Sequence, residues 1–276
     1  MTVTEKAYAK INLFLDVIGR RKDGFHEIVS VMQSVSLCDT ISLSAIHSEE
    51  RKIFISSNEP TLENDENNLI YKSALKYMSY FDINAGIEVN LEKRVPIGAG
   101  LGGGSSDAAA TLRAMNKIFR LASKEQLLEM AAELGSDVAF CVDGGCALCT
   151  GRGEKLRPFK YDISPYFVIA IGKGRVSTPS AYKMLDEKYG DFTKYNAEKN
   201  LPNINNLPIY NIFEQVIDLK EICEIKNIMT ENFADMTLMS GSGPSVFGVF
   251  LDSSSALAAK EALEERGYLA FDCVKV

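Results

Sequence analysis

Apolar and polar residues alternate through Ala7–Val17, Ile28–Val35 and Ile41–Ala45, a period-two pattern that predicts three antiparallel strands. Lys52–Ser56 and Ile87–Leu91 predict two more, with Pro96 just past the second. Asn68–Phe81 carries Leu69, Ala74, Leu75 and Met78 at helical spacing. A helix is predicted from Ser105 to near Phe119. Ser123 has the character of an N-cap for the next helix, with Gln126 three residues on as in a capping box, and that helix stops at Leu134 before Gly135. Val138–Val142 and Cys146–Cys149 are short apolar runs around Gly144-Gly145. Further on, Phe167–Ile171 predicts a strand, and 179–188 and 210–232 carry helical patterns. Thr237–Ser240 and Ser245–Leu251 flank a turn, Gly241-Ser242-Gly243-Pro244. Ser253–Arg266 reads as a helix and Leu269–Val274 as a closing strand. Helices and strands mix without strict βαβ alternation, which gives an α+β class. The polar stretch 150–159 places a domain boundary near residue 155, dividing the chain into 1–155 and 156–276.

Composition narrows the partners. The 276 residues suffice for one large or two modest domains, and 46% hydrophobic with 24% charged residues is ordinary for a chain that buries a core. A net charge of −7 opposes general nucleic-acid binding and requires a locally basic pocket for any anionic ligand. No apolar run reaches the ~18 residues a membrane helix needs. The N-terminus lacks the charged-then-apolar layout of a signal peptide, so no membrane association and a cytoplasmic location are expected. Six cysteines, Cys38, Cys141, Cys146, Cys149, Cys223 and Cys273, are expected as free thiols in such a compartment. No pattern sets an oligomeric state.

The sharpest local feature is Val95-Pro96-Ile97-Gly98-Ala99-Gly100-Leu101-Gly102-Gly103-Gly104-Ser105-Ser106-Asp107. Its glycines let backbone approach a ligand closely, and it opens into a helix whose free N–H groups and dipole suit a phosphate. Ser105 and Ser106 add hydroxyls. A plain flexible loop does not need this strand–loop–helix setting. The loop contains G-x-G-x-x-G, yet the next element is a helix, not the second parallel strand and acidic residue of a dinucleotide fold. It lacks the Gly-Lys-Ser/Thr of a Walker A loop, and His-Arg-Asp and Asp-Phe-Gly are absent. The loop points to a different kind of ATP binder.

Three segments in order carry a resemblance: AYAKINLFLDVIGRRKDGFHEIVSVMQSV from Ala7, VPIGAGLGGGSSDAA from Val95, and MSGSGPSVFGVF from Met239. Their order and spacing resemble the three motifs of the GHMP kinase superfamily. The extended first segment is similar to the branch acting on cytidine diphosphate-linked methylerythritol. LGSDVAFCVDGG and VSTPSAY extend the resemblance over nearly the whole chain.

The resemblance implies a two-domain GHMP-kinase-like fold with the active site in the interdomain cleft, and phosphoryl transfer from ATP with Mg²⁺ to the substrate's 2-hydroxyl. It implies that Asp137 is the catalytic carboxylate and that Lys10 keeps it ionised and stabilises charge on the transferring phosphoryl group. By themselves, Asp137 reads as a turn or N-cap residue and Lys10 as a strand lysine facing solvent. Ala139 stands where the family usually has Pro, which implies a less rigid local backbone. Asn12 shares a strand face with Lys10 and would lie near the substrate, as would Thr178. Phe25 and Tyr182 would sandwich the cytosine and His26 would hydrogen-bond it. Phe25 replaces the family's frequent Tyr and lacks its hydroxyl. Without the resemblance, His26 reads as a turn residue and Tyr182 as helix packing. On the nucleotide side, Asn68 and Leu69 resemble residues of the adenine site, and Lys93, just ahead of the loop, would also bind ATP. Pro96, Gly98, Gly100, Leu101, Gly102, Gly103, Gly104, Ser105 and Ser106 would form the phosphate loop, and Gly241-Ser242-Gly243 would bring a second backbone turn to the substrate's phosphates. His47 matches no motif and is expected on the surface.

Cys141, Cys146 and Cys149 fit C-x₄-C-x₂-C, an iron–sulfur spacing, with Cys223 as a fourth ligand. They lie in apolar runs, where a buried cysteine acts as a small hydrophobe, so no metal is expected. Two other functions stay open: another small-molecule kinase of the superfamily, acting on homoserine or mevalonate, and a nucleotide-binding regulator without turnover. Neither homoserine nor mevalonate has a base for Phe25, His26 and Tyr182 to read. Lys10 together with Asp137 argues against the regulator.

Overall fold

The computed structural model describes residues 1–174, 176–190, 192 and 209–276. Among them it has eleven strands and seven α-helices. Packing divides the chain into two compact units that are not consecutive in sequence: Met1–Ala9, Cys38–Ile97 and Gly102–Gly144 form the first, and Lys10–Leu37, Gly98–Leu101 and Gly145–Val276 the second. Both units draw on residues before Gly145, and everything from Gly145 on belongs to the second.

Strand β1 (Thr2–Arg20) and strand β2 (His26–Ile46) each contribute to both units. The two strands expected at Ile28–Val35 and Ile41–Ala45 are therefore one. The residues between them, Ser36–Thr40, carry no turn-forming Gly or Pro to break it. In the first unit, β4 (Gly86–Glu92) pairs antiparallel with Thr40–Ile46 of β2, and β3 (Lys52–Ser57) pairs parallel with β4. Its helices are α1 (Leu69–Tyr80), α2 (Gly103–Phe119), α3 (Lys124–Leu134) and α4 (Ser136–Asp143). Ala74, Tyr77 and Met78 of α1 and Ala108, Leu112 and Met115 of α2 are fully buried, whereas Leu75 lies on the exposed side of α1. Ser123 and Gln126 form the expected reciprocal capping box on α3. Such a cap contributes about 1 kcal/mol.

The expected apolar run Val138–Val142 is the interior of α4. Eight residues are too few for a helix to hold on propensity alone, and Arg113 of α2 braces its C-terminal end, donating from Nη1 to the carbonyl of Cys141 at 2.7 Å.

In the second unit, β7 (Tyr166–Ile171), β9 (Met236–Met239), β10 (Ser245–Phe250) and β11 (Leu269–Val274) form an antiparallel sheet in the order β11-β7-β10-β9. Helices α5 (Thr178–Tyr189), α6 (Lys220–Glu231) and α7 (Ser253–Glu265) bury Ala181, Leu185, Ile225, Met229, Ala259 and Leu263 in its core. The polar stretch expected to be a boundary is instead a hairpin: β5 (Cys146–Gly151) pairs with Ile28–Gln33 of β2 on one side and with β6 (Lys155–Pro158) on the other. The helical pattern over 210–232 is interrupted. It holds β8 (Tyr210–Asn211), a 3₁₀ turn at Ile212–Gln215 started by the Asn211 side chain accepting from Phe213 N, and only then α6. A residue whose side chain takes a nearby backbone N–H favours turns over helix interiors.

Candidate active site

In the first unit the glycine loop ends as α2 begins. No side chain caps that helix and no acidic residue lies in its first turn, so its leading N–H groups and positive dipole end are open to an anion. Ser105 is half-buried and its hydroxyl makes no hydrogen bond among the described residues. Ser106 differs: it is buried and its hydroxyl donates back to the Gly103 carbonyl at 2.8 Å. Leu69 faces the same helix start, with its Cδ1 3.7 Å from where a Cβ on Gly104 would stand. Asn68 is the N-cap of α1, its side chain accepting from Ile70 N at 2.9 Å and donating to the Glu63 carbonyl at 2.7 Å. Asp137, half-buried, occupies the first turn of α4, where a carboxylate meets the favourable end of the helix dipole.

Lys93 follows β4 and leads into the loop. Its side chain is buried between two buried carboxylates, Asp39 of β2 at 2.5 Å and Asp107 of α2 at 2.7 Å. Burial pulls the Lys93 ammonium down, and the two carboxylates outweigh that and hold it above its usual value. Burial pushes the Asp107 carboxyl up to about 7 against the pull of Lys93.

The second unit gathers the other candidates. Lys10 is 4% exposed, so it is a buried residue and not the surface lysine its strand position suggests. Its N–H donates to the Leu101 carbonyl at 2.9 Å, and its Nζ donates to Asn12 Oδ1 at 2.7 Å. Asn12 Nδ2 in turn donates to Ser30 Oγ, which donates to the Phe14 carbonyl.

The tip of the glycine loop and the turn after β9 touch. A Cβ on Gly100 (φ +76°) would stand 2.3 Å from the Ser240 carbonyl oxygen, so this approach requires glycine. Ser240 Oγ donates to the Gly100 carbonyl at 3.1 Å, and Ser245 Oγ donates to that of Ala99. Asn211 Nδ2 donates to the carbonyls of Met239 (2.7 Å) and Gly241 (2.8 Å), fixing the turn. Thr178, first residue of α5, hydrogen-bonds Ser242 at 3.1 Å. Lys10, Asn12, Ala99–Leu101, Gly241–Gly243 and Thr178 thus share one contact network.

A second cluster lies at the start of β2. His26 Nε2 is 2.7 Å from Asp186 Oδ1, and the His26 ring stacks on Tyr182 with centroids 4.6 Å apart at 23°. An ionised carboxylate only accepts, so Asp186 fixes the imidazole proton on Nε2. Phe25 is half-exposed beneath the Arg152 guanidinium, 4.8 Å from its ring centroid. The aromatic partner of Tyr182 here is therefore His26, with Phe213 edge-on at 5.0 Å.

Ser30, Asn211, Asp186, Asp39 and Asp107 were not among the sequence candidates. Asp107 is the last residue of the quoted loop and Ser30 lies within the first quoted segment; the other three carried no local signal. None of the six cysteines forms a disulfide; Cys223 is exposed on α6 while Cys141, Cys149 and Cys273 are buried. Among the described residues no group of three or more His, Cys, Asp or Glu side chains is placed to hold a metal ion, and no helix is long and apolar enough to cross a membrane. His47 is exposed.

The family model for the GHMP kinases N terminal domain matches residues 68–145, and that for the GHMP kinases C terminal domain matches 204–269. The 4-diphosphocytidyl-2-C-methyl-D-erythritol kinase of Syntrophomonas wolfei subsp. wolfei is 40% identical over 270 residues, covering 95% of this chain and 94% of the relative. The enzyme of the same name from Caldicellulosiruptor bescii is 39% identical over 269 residues, covering 94% and 93%. A crystal structure of 4-(cytidine 5'-diphospho)-2C-methyl-D-erythritol kinase matches with a TM-score of 0.81 at 31% identity, covering 99% of each chain. Homoserine kinase from Cytophaga hutchinsonii shares the fold alone, with a TM-score of 0.74 at 20% identity over 100% of this chain and 94% of that one.

Proposed function

Because the chain belongs to the GHMP kinase family and, within it, to the 4-diphosphocytidyl-2-C-methyl-D-erythritol kinases, we propose that it transfers the γ-phosphoryl group of Mg·ATP to the 2-hydroxyl of 4-(cytidine 5'-diphospho)-2-C-methyl-D-erythritol. It is an ATP-dependent kinase of isoprenoid precursor synthesis. The observation that carries the nucleotide reading is the start of α2: a glycine loop opening into a helix with neither a capping side chain nor an acidic residue in its first turn. We place the reaction in the cytoplasm and give Mg²⁺ the role of a companion of ATP, entering as part of that substrate.

Phosphoryl transfer asks a protein chiefly for positioning and charge stabilisation. In this reading the N–H groups at the start of α2 and the hydroxyl of Ser105 take the nucleotide phosphates, with Leu69 against the same helix start. Asp137 accepts the proton of the attacking hydroxyl. Lys10, buried and oriented by Asn12, stabilises the negative charge that spreads over the transferring group. His26, with its proton held on Nε2 by Asp186, keeps Nδ1 as the acceptor we assign to the 4-amino group of cytosine, while Phe25 and Tyr182 supply ring faces. The Tyr182 face now against His26 has to be shared or vacated when a base enters.

The test is phosphate transfer from Mg·ATP to the cytidyl compound, with homoserine and mevalonate in parallel. Turnover of the cytidyl compound alone supports the reading. Turnover of another acceptor keeps the kinase chemistry and removes the cytosine assignment, and no turnover with any acceptor moves a non-catalytic nucleotide binder to the front.

A further inference from the structure

Three ionisable side chains meet behind the start of α2. Lys93, Asp39 and Asp107 are 5%, 0% and 5% exposed, and none faces open solvent. Asp39 uses one oxygen on Lys93 Nζ and the other on the backbone N–H groups of Arg94 (2.5 Å) and Val95 (2.8 Å). The segment that leaves β4 and enters the loop is thereby tied to β2. The same ammonium reaches Asp107, tying the loop's exit to its entrance. The fit is close. A Cβ on Gly103, the first residue of α2, would stand 2.9 Å from Lys93 Nζ.

Electrostatics explains why the ammonium is paired. An ammonium next to a helix N-terminus sits at the unfavourable end of the dipole, and a buried charge costs several kcal/mol unless paired. Asp39, which also accepts from two backbone N–H groups, supplies the pairing charge, and Asp107 is a second acceptor on the same ammonium. One oxygen of Asp107, Oδ1, is buried without a hydrogen-bond partner, so the carboxylate is held for its contact with Lys93 and not by a satisfied network of its own.

We propose that Lys93 is a positioning residue, the centre of a clasp in which Asp39 and Asp107 close the base of the phosphate loop, and not a direct ligand of the nucleotide. The proposal rests on the nucleotide reading given above. It changes the place of Lys93, which the resemblance puts among the ATP contacts. The clasp sets the aim of the first N–H groups of α2, and displacing a reacting group by ~1 Å costs up to about 100-fold in rate.

The two roles respond oppositely to removal of Asp107. If Lys93 binds nucleotide directly, Asp107→Ala releases the ammonium, and affinity for Mg·ATP holds or improves. If it is a clasp, Lys93→Met and Asp107→Ala each weaken Mg·ATP, by on the order of 10–100-fold. In that case the double variant is no weaker than the worse single, because both remove one interaction. Asp107→Asn, which still accepts from Nζ, recovers most of the loss. The experiment is calorimetric titration of each purified variant with Mg·ATP, alongside steady-state KM values for ATP and for the cytidyl substrate. The expected result is a raised ATP constant with the acceptor KM unmoved. Additive losses in the double variant, or wild-type ATP affinity in Asp107→Ala, overturn the clasp. Should Asp107→Ala fail to fold, Asp39→Asn with Lys93→Met gives the same cycle. Failure of the wild-type protein to bind Mg·ATP is a separate outcome, and it overturns the nucleotide reading first and the clasp with it.

Discussion

Lys10 Nζ donates to Asn12 Oδ1 at 2.7 Å, and the far end of their hydrogen-bond chain decides which end of the amide faces the ammonium. The Phe14 carbonyl can only accept, so Ser30 Oγ must donate to it. Ser30 then accepts from Asn12 Nδ2, which leaves Oδ1 for Lys10. The orientation of the proposed phosphoryl-stabilising lysine is therefore set by a serine on the neighbouring strand.

Ser30→Ala breaks this chain at its middle. The Phe14 carbonyl loses its donor and the Asn12 amide its acceptor, at a cost of about 1–3 kcal/mol in stability. The NH₂ end of the Asn12 amide is then unanchored, and the amide that accepts from Lys10 loses its fixed position. The expected kinetic result is a kcat lowered by about tenfold, equivalent to ~1.4 kcal/mol of transition-state stabilisation. Thermal melting and steady-state kinetics separate the two effects, and an unchanged kcat would falsify the orienting role of Ser30.

Asp137 stands in the first turn of α4, whose far end is braced by Arg113. Asp137→Asn keeps the size of the side chain and removes the proton acceptor. General-base loss corresponds to about 10²–10⁴-fold in kcat, with Mg·ATP affinity retained. The check is a pair of measurements, turnover and ATP titration. Near-normal turnover removes the assigned role, while lost ATP binding reassigns Asp137 to the nucleotide.

The sequence made the local elements of this fold readable where one principle dominated. The capping pair Ser123–Gln126 and the closing strand Leu269–Val274 stand where their patterns put them. It was weaker where elements depend on partners far along the chain. β2 runs through the predicted gap because nothing local breaks it. Residues 150–159 are polar yet form a hairpin, because β5 has a partner in β2 more than a hundred residues earlier. Lys10 looked like a solvent-facing strand lysine, and its burial follows from Leu101 and Asn12 together, of which only Asn12 is near in sequence. Asp186 lies 160 residues from His26 and Asp39 lies 54 from Lys93, so no spacing rule links either pair. Motifs nominate the candidates; the residues packed against them come from distant segments that no motif names.

Tyr182 is held by His26 on its face and Phe213 at its edge. Stacking of a base on an aromatic side chain is worth about 1–3 kcal/mol, so Tyr182→Ala should raise the KM of the cytidyl substrate by roughly 5–100-fold and leave the KM of ATP near its wild-type value. Tyr182→Phe keeps the ring and should stay close to wild type. Equal rises in both constants would point to a collapsed α5 and not to a lost base contact.

The last prediction concerns pH and stability. Burial raises the Asp107 carboxyl from 3.8 to about 7 in the folded protein. Between those values the native state holds a proton that the unfolded chain has released. With more protons bound to the native state, stability falls as pH rises through this window. The charged groups that act on Asp107 are Lys93 and Asp39, one opposing the shift and one reinforcing it. Asp107→Asn is neutral at every pH and still accepts from Lys93, so it removes this slope and leaves those of other groups in place. Exposed carboxylates such as Asp252, held down at about 2 by its hydrogen bonds at the start of α7, contribute in the opposite sense and at lower pH. The measurement is the urea midpoint of wild type and Asp107→Asn at intervals from pH 4 to pH 8. The variant should gain on the wild type steadily as pH rises toward 7 and hold a constant difference above it. A difference that does not change with pH would mean that Asp107 is ionised throughout, balanced fully by Lys93, and that the buried cluster carries its negative charge at every pH in the range.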